Sequence, residues 1–177
     1  MPEGFDNKKR IMESFGTIVM ETNSKDGMQG SLKMLKEFNS KEFKVINQFT
    51  NLLNPLGYIS LVKEIVKDFK KLDYVIVGLG SYGTYYCLSR CLKKIYPNIK
   101  IIGVEPYDNN HIDGIGSNTK WGIKSRIKQI NILRVNEQDA YDKTKQMLLD
   151  GYNVGLSTGA NIYIGEKIKK VNPNATI

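Results

Sequence analysis

YVIVGLGSYGTYYCLSRCLKKIYPNIKIIGVEP, residues 74 to 106, is the stretch that decides the fold. Four apolar residues, Tyr74 to Val77, run into a glycine-rich turn, Gly78-Leu79-Gly80-Ser81-Tyr82-Gly83-Thr84. A helical segment follows, then a second buried strand, Ile101 to Val104, ending in Glu105-Pro106. Strand, glycine loop, helix, strand is a βαβ unit, and its loop lies where backbone N–H groups and a helix N-terminus can cradle a phosphate. A Cβ in such a loop would hold phosphate oxygens away from the amides, which explains the glycines. The spacing Gly78, Gly80, Gly83, with Glu105 ending the next strand, also satisfies the dinucleotide pattern, in which a carboxylate meets a ribose hydroxyl. That pattern is unspecific, because tight strand-to-helix turns favour glycine whatever they bind.

Working outward, the N-terminal side reads as a helix over Asn7 to Phe15 (apolar stripe Ile11, Met12, Phe15, stop at Gly16), a short strand over Thr17 to Met20, and a helix over Gly27 to Phe38. Phe43 to Phe49 reads as a strand, and the polar, Pro-containing link Thr50 to Gly57 as a boundary. Ile59 to Phe69 is an amphipathic helix. Beyond Pro106, the glycine-bearing stretch Tyr107 to Lys128 holds the single His (His111) and the single Trp (Trp121) and reads as a loop. Ile130 to Val135 is a strand, Asn136 an N-cap for a helix over Gln138 to Asp150, and Val154 to Leu156 a short strand. A last helix opens at Ser157-Thr158-Gly159 and runs to Lys170. Both ends of the chain read as cut, with a β-branched strand beginning in Asn174-Ala175-Thr176-Ile177. Alternating strands and helices predict an α/β fold of three layers, αβα, around a mainly parallel sheet.

The 177 residues are 41% hydrophobic and 25% charged, which suits a chain that buries a core. The net charge of +8 comes from lysines scattered over amphipathic segments, with four arginines and no basic stripe interleaved with aromatics. A solvated lysine-rich surface accounts for it better than nucleic-acid binding does. Cys87 and Cys91 are the only cysteines, and with one histidine they cannot close a zinc site. Reduced thiols, no signal-peptide core in MPEGFDNKKR and no run of membrane-span length together predict a soluble, cytoplasmic protein without a membrane role.

Across nearly its whole length the chain resembles the PLP-dependent cysteine synthases (O-acetylserine sulfhydrylases) and their relatives, the cystathionine β-synthases. The resemblance is a series of motifs in order. Met1-Pro2-Glu3 with the helix after it, Gly27-Met28-Gln29-Gly30, Gln48-Phe49-Thr50-Asn51 with Asn54-Pro55, and Gly80-Ser81-Tyr82-Gly83-Thr84 come first. Ile102-Gly103-Val104-Glu105-Pro106, Gly114-Ile115-Gly116 and Gly155-Leu156-Ser157-Thr158-Gly159-Ala160-Asn161 follow. A dinucleotide reading explains only one of the seven. The resemblance implies the fold-type II, tryptophan synthase β-like architecture. Residues 1–55 would be the remaining part of a smaller N-terminal domain, and residues 56–177 a larger PLP-phosphate-binding domain, short of its last strand.

The activity so implied is β-replacement in cysteine biosynthesis. Pyridoxal 5′-phosphate, held as a Schiff base on a lysine, accepts O-acetylserine or a related activated serine, and sulfide takes the place of the leaving group. Carried over position by position, Gly80, Ser81, Tyr82, Gly83 and Thr84 would hold the cofactor phosphate, Gly114 would line the cleft, and Gln48 with Phe49 would meet the substrate carboxylate. Glu105 becomes a structural carboxylate. The family's Schiff-base lysine lies upstream of the point matching Met1, and the serine facing the pyridine nitrogen lies beyond Ile177. Ser24-Lys25-Asp26 is similar to the lysine motif but falls in the wrong place. The resemblance therefore gives no catalytic residue and no metal, and it implies a chain inactive by itself. A homodimer or a complementing chain is the expected partner. A non-catalytic interaction protein and a Rossmann-type NAD domain are the alternative readings. Tyr82, standing where the family has a small residue, is expected to crowd the phosphate loop.

Overall fold

The structure, a computed structural model, describes residues 1–37, 44–116 and 122–177. The chain forms two compact units, Met1–Ile46 and Asn47–Ile177. Phe38, Phe43 and Trp121, each part of a sequence-based expectation, lie outside the described residues.

The first unit carries α1 (Asp6–Ser14) and α2 (Gly27–Glu37), joined through a tight turn at Ser24–Asp26. The Thr22 N–H donates to the Met1 carbonyl and the Glu3 N–H to the Thr22 carbonyl, at 2.8 and 2.9 Å. That Pro2–Thr22 bridge is the unit's sole β pairing among the described residues. Thr17 to Met20, expected as a strand, therefore forms no ladder, and Ile18 is 91% exposed. The α1 stripe does not form a core either, since no residue of α1 is buried.

In the second unit the expected strand up to Phe49 is replaced over its described residues by coil and a turn at Gln48–Thr50. The cause is local. The Asn47 Oδ1 accepts the Phe49 N–H at 2.9 Å, and the Asn51 Oδ1 accepts the Leu53 N–H at 3.0 Å. Asparagine side chains that bond their own backbone two residues on make turns, and they take those amides out of any sheet ladder. The short helix α3 (Leu53–Leu56) and the amphipathic helix α4 (Ile59–Asp68) follow. The segment from Asn47 to Pro55 lies in this compact unit, where α3 packs on the helix that follows the glycine loop.

The βαβ unit is present as read: β1 (Tyr74–Gly78), α5 (Gly83–Ile95) and β2 (Lys100–Pro106). With β3 (Asn131–Val135) they form a parallel sheet of order β1-β2-β3, in register from Tyr74 opposite Lys100 and from Ile102 opposite Asn131. Strand side chains alternate between faces. Val77 and Ile101 point to one side, where Val62 of α4 and Leu88 and Leu92 of α5 cover them. Ile102, Val104 and Val135 point to the other, against Ala140 of α6 (Glu137–Leu149) and Ala160 and Ile164 of α7 (Leu156–Val171). This is the three-layer α/β arrangement with a parallel sheet.

Two further expectations change. Val154 to Leu156 is not a strand: Gly155 is the N-cap of α7, and its carbonyl already accepts the Thr158 and Gly159 N–H groups. Asn136 occupies the N-cap of α6, but its side chain makes no cap bond. The Glu137 N–H is taken instead by Asn110 Oδ1 at 2.7 Å, and the Glu137 carboxylate accepts the His111 N–H at 3.2 Å. At the other end, Thr176 does not extend the sheet as a strand but docks on the start of β1. Its carbonyl accepts the Asp73 and Tyr74 N–H groups at 2.9 and 3.1 Å, and its own N–H donates to Asp73 Oδ2 at 2.9 Å. No helix among the described residues is long and apolar enough to cross a membrane.

Candidate active site

The site grows from the end of β1. The Leu79 N–H donates to the Val104 carbonyl at 2.9 Å, so the chain is still tied to β2 as the glycine turn begins. Leu79 is fully buried, and its side chain fills the space above Gly103, where a Cβ would lie 2.4 Å from it. The Gly116 N–H donates to the Leu79 carbonyl at 2.8 Å, folding the 107–116 loop back over the turn. That loop is pinned by the buried side chains Ile112 and Ile115. Gly114 consequently stands beside Gly80, whose Cβ would lie 3.0 Å from the Gly114 carbonyl oxygen.

The protein's own packing already requires these glycines. A Cβ on Gly78 would meet Ile115 at 2.6 Å. A Cβ on Gly83 would meet Asn54 Oδ1 at 2.1 Å. The second contact organises the turn. The Asn54 Nδ2 donates to the Gln48 carbonyl at 2.7 Å and to Ser81 Oγ at 3.0 Å. A carbonyl can only accept, so the Gln48 bond fixes which end of the amide is which. Ser81 Oγ also accepts the Gly83 N–H, at 3.4 Å. With two hydrogen bonds received, the Ser81 hydroxyl has its proton left to donate.

Tyr82 is the N-cap of α5 and holds a left-handed backbone, φ 66° and ψ 3°. Its bulk does not crowd the loop. The ring is 2% exposed, and its hydroxyl donates to Glu105 Oε1 at 2.6 Å. Lys124 Nζ lies 4.8 Å from the ring centroid and 4.0 Å from the same Glu105 oxygen. Burial, helped by the Glu105 bond, pushes the Tyr82 phenol far above its ordinary value, so it stays a proton donor. Glu105 is 8% exposed and faces Tyr82, which closes the reading in which it meets a ribose hydroxyl.

Of the residues singled out on sequence, Gly80, Ser81, Tyr82, Gly83, Thr84, Gly114, Gln48 and Phe49 all fall in the second unit. Gln48, Ser81 and Gly83 meet through Asn54, and Gly80 meets Gly114. Thr84 is half-buried in the first turn of α5, Gln48 is exposed, and Phe49 is buried with its carbonyl taken by the Ile123 N–H at 2.8 Å. Sequence reasoning assigned no role to Asn54 or Lys124. Asn54 was visible inside the quoted Asn54-Pro55 motif, whereas Lys124 carried no signal.

The donor set fits a phosphate. The first-turn amides of the 13-residue helix α5 have no intrahelical acceptors, and its dipole favours an anion there. Ser81 adds a hydroxyl that still has its proton to donate, and Thr84, in the first turn of α5, carries another. Among the described residues no cluster of three His, Cys, Asp or Glu could hold a metal ion.

Comparison with known proteins agrees. The chain is 28% identical to cysteine synthase B of Campylobacter jejuni, which it matches over 100% of its own length and 64% of that protein's. The structure superposes on an O-acetylserine dependent cystathionine β-synthase from Helicobacter pylori with a TM-score of 0.89 at 28% identity, covering 99% of this chain and 62% of that one. A hydrogen sulfide-producing enzyme from Fusobacterium nucleatum gives a TM-score of 0.85 at 29% identity, covering 99% and 65%. The chain spans just under two thirds of the length of each. Its whole length, residues 1–177, matches the model of the pyridoxal-phosphate dependent enzymes, and the chain belongs to that family.

Proposed function

We propose that this chain carries the cofactor-phosphate and substrate-facing side of a PLP-dependent β-replacement site, one that joins sulfide to O-acetylserine or a related activated serine. The observation that carries the reading is the Ser81 hydroxyl. Asn54 and Gly83 both donate to it, leaving its proton to donate at the N-terminus of α5. Pyridoxal phosphate, when bound, supplies the electron sink that lets bonds at the substrate Cα and Cβ break.

This chain's own residues do the holding. The Ser81 and Thr84 hydroxyls and the first-turn amides of α5 after Gly83, whose own N–H is taken by Ser81, would donate to the phosphate oxygens, and Gly114 would form the near wall. Gln48, whose carbonyl shares the Asn54 amide with Ser81, would orient the substrate carboxylate. Phe49, buried behind it, fixes the turn from which Gln48 projects. Lys25, in the motif most similar to the family's lysine, stands just before Gly27-Met28, out of the order in which the family places its lysine. The nucleophilic lysine is therefore to be supplied from outside Met1–Ile177, and residues 1–177 are inactive in β-replacement without it.

The test is incubation of the chain with pyridoxal phosphate, borohydride reduction, and location of the modified lysine by mass spectrometry. Scattered, substoichiometric labelling is the expected result. Stoichiometric labelling of one lysine, with cysteine formed from O-acetylserine and sulfide, would overturn the claim that the lysine comes from elsewhere.

A further inference from the structure

The phosphate reading leaves Tyr82 unexplained. A left-handed backbone costs a residue with a Cβ roughly 1–2 kcal/mol relative to glycine, yet a tyrosine stands here between Ser81 and Gly83. We propose that Tyr82 and Glu105 are a positioning pair. Their buried hydroxyl–carboxylate bond holds the turn in its left-handed form, and so aims the Ser81 hydroxyl and the first amides of α5 at the cofactor phosphate. The inference rests on the phosphate reading given above.

The geometry supports a tether. Glu105 belongs to β2, paired on both sides by β1 and β3, so it is a rigid anchor. Both residues are buried, Tyr82 at 2% and Glu105 at 8% exposure, and the bond joining them is 2.6 Å long. A buried carboxylate must be satisfied or it destabilises the fold. Glu105 Oε1 has the tyrosine hydroxyl at hydrogen-bond distance and Lys124 only at 4.0 Å. The ring is clamped between the core and Lys124, 4.8 Å above it. With Tyr82 fixed at its tip, and Ser81 and Gly83 locked on either side by Asn54, the turn is held on both flanks. Glycine permits such a conformation; an anchored tyrosine enforces it.

The role is tested on the 177-residue chain with a probe that cannot condense with lysine, 4-deoxypyridoxine 5′-phosphate, alongside its unphosphorylated parent. The readout is the ratio of the two affinities, measured by calorimetry well below the thermal midpoint of each variant. Loss of one preorganising bond predicts that Y82F lowers the ratio by about tenfold, while the unphosphorylated probe binds as before. E105Q keeps an acceptor for the tyrosine and should stay within about threefold of the wild-type ratio.

A Y82F ratio equal to wild type, even with a lowered thermal midpoint, would overturn the positioning role and leave the bond merely structural. Should Y82F fail to fold, E105Q decides: a ratio that collapses in E105Q, whose amide still accepts, would also overturn it. No preference for the phosphorylated probe in the wild-type chain would retire the phosphate reading and the positioning role with it.

Discussion

Replacing Gly83 by alanine separates the packing explanation of this glycine from the ligand explanation. Gly83 has no positive φ, so a Cβ costs nothing in backbone conformation there. The whole penalty is steric, because the new methyl would lie 2.1 Å from Asn54 Oδ1 and 2.6 Å from its Cγ. If the amide swings away, it gives up its bonds to the Gln48 carbonyl and Ser81 Oγ, at about 1 kcal/mol each. If it stays, α5 must shift, at the cost of about 1–3 kcal/mol typical of overpacking. Against either stands about 0.4–1 kcal/mol gained because alanine restricts the unfolded chain. G83A should therefore lose roughly 1–2 kcal/mol of stability in urea titration at constant m-value. In an N54A background the obstacle is gone, and the same change should be neutral or slightly stabilising. A double-mutant cycle would then show a coupling of about 2 kcal/mol between positions 54 and 83. Equal losses in both backgrounds would refute the reasoning, since the clash could not then lie with Asn54.

Two further predictions follow from other contacts. A Cβ on Gly159 would meet Thr144 Oγ1 at 2.1 Å and the Ala140 carbonyl at 2.5 Å, so G159A must push α7 off α6 and should lower stability by about 2–3 kcal/mol in the same titration. The Tyr82 phenol titrates higher folded than unfolded, so its contribution is complete below pH 10 and is lost as pH rises above that value. Stability should fall there with a slope about 1.4 kcal/mol per pH unit steeper in the wild type than in Y82F.

The βαβ core was legible because it rests on local signals: two apolar runs, a glycine turn between the first and the helix, and 3.6-residue periodicity in α5. The strands expected at Thr17 to Met20 and Val154 to Leu156 failed for the opposite reason. A short apolar or β-branched run becomes a strand only where a neighbouring strand takes its amides, and no local pattern reports whether one is there. At the site, the glycine positions were readable but their purpose was not. What forbids a Cβ on Gly83 is a side chain in another turn, with Asn54 bonding Ser81 across 27 residues of sequence. Tyr82 looked like an obstruction because bulk is visible in sequence, whereas its direction depends on Glu105, 23 residues onward.

The docking of Thr176 on Asp73 bears on the order in which this unit assembles. Tyr74 and Lys100, which open the β1–β2 register, are separated by 26 residues, whereas Asp73 and Thr176 are separated by 103. Loop-closure entropy rises by about 0.6 kcal/mol for each doubling of the loop, so the second contact carries roughly 1.2 kcal/mol more if formed from the open chain. It becomes favourable only once α6 and α7 have packed and brought the tail near. Even then Thr176 takes only the Asp73 and Tyr74 amides, so the rest of the outer edge of β1 faces no strand among the described residues, and such an edge is where a chain is open to pairing with the wrong strand.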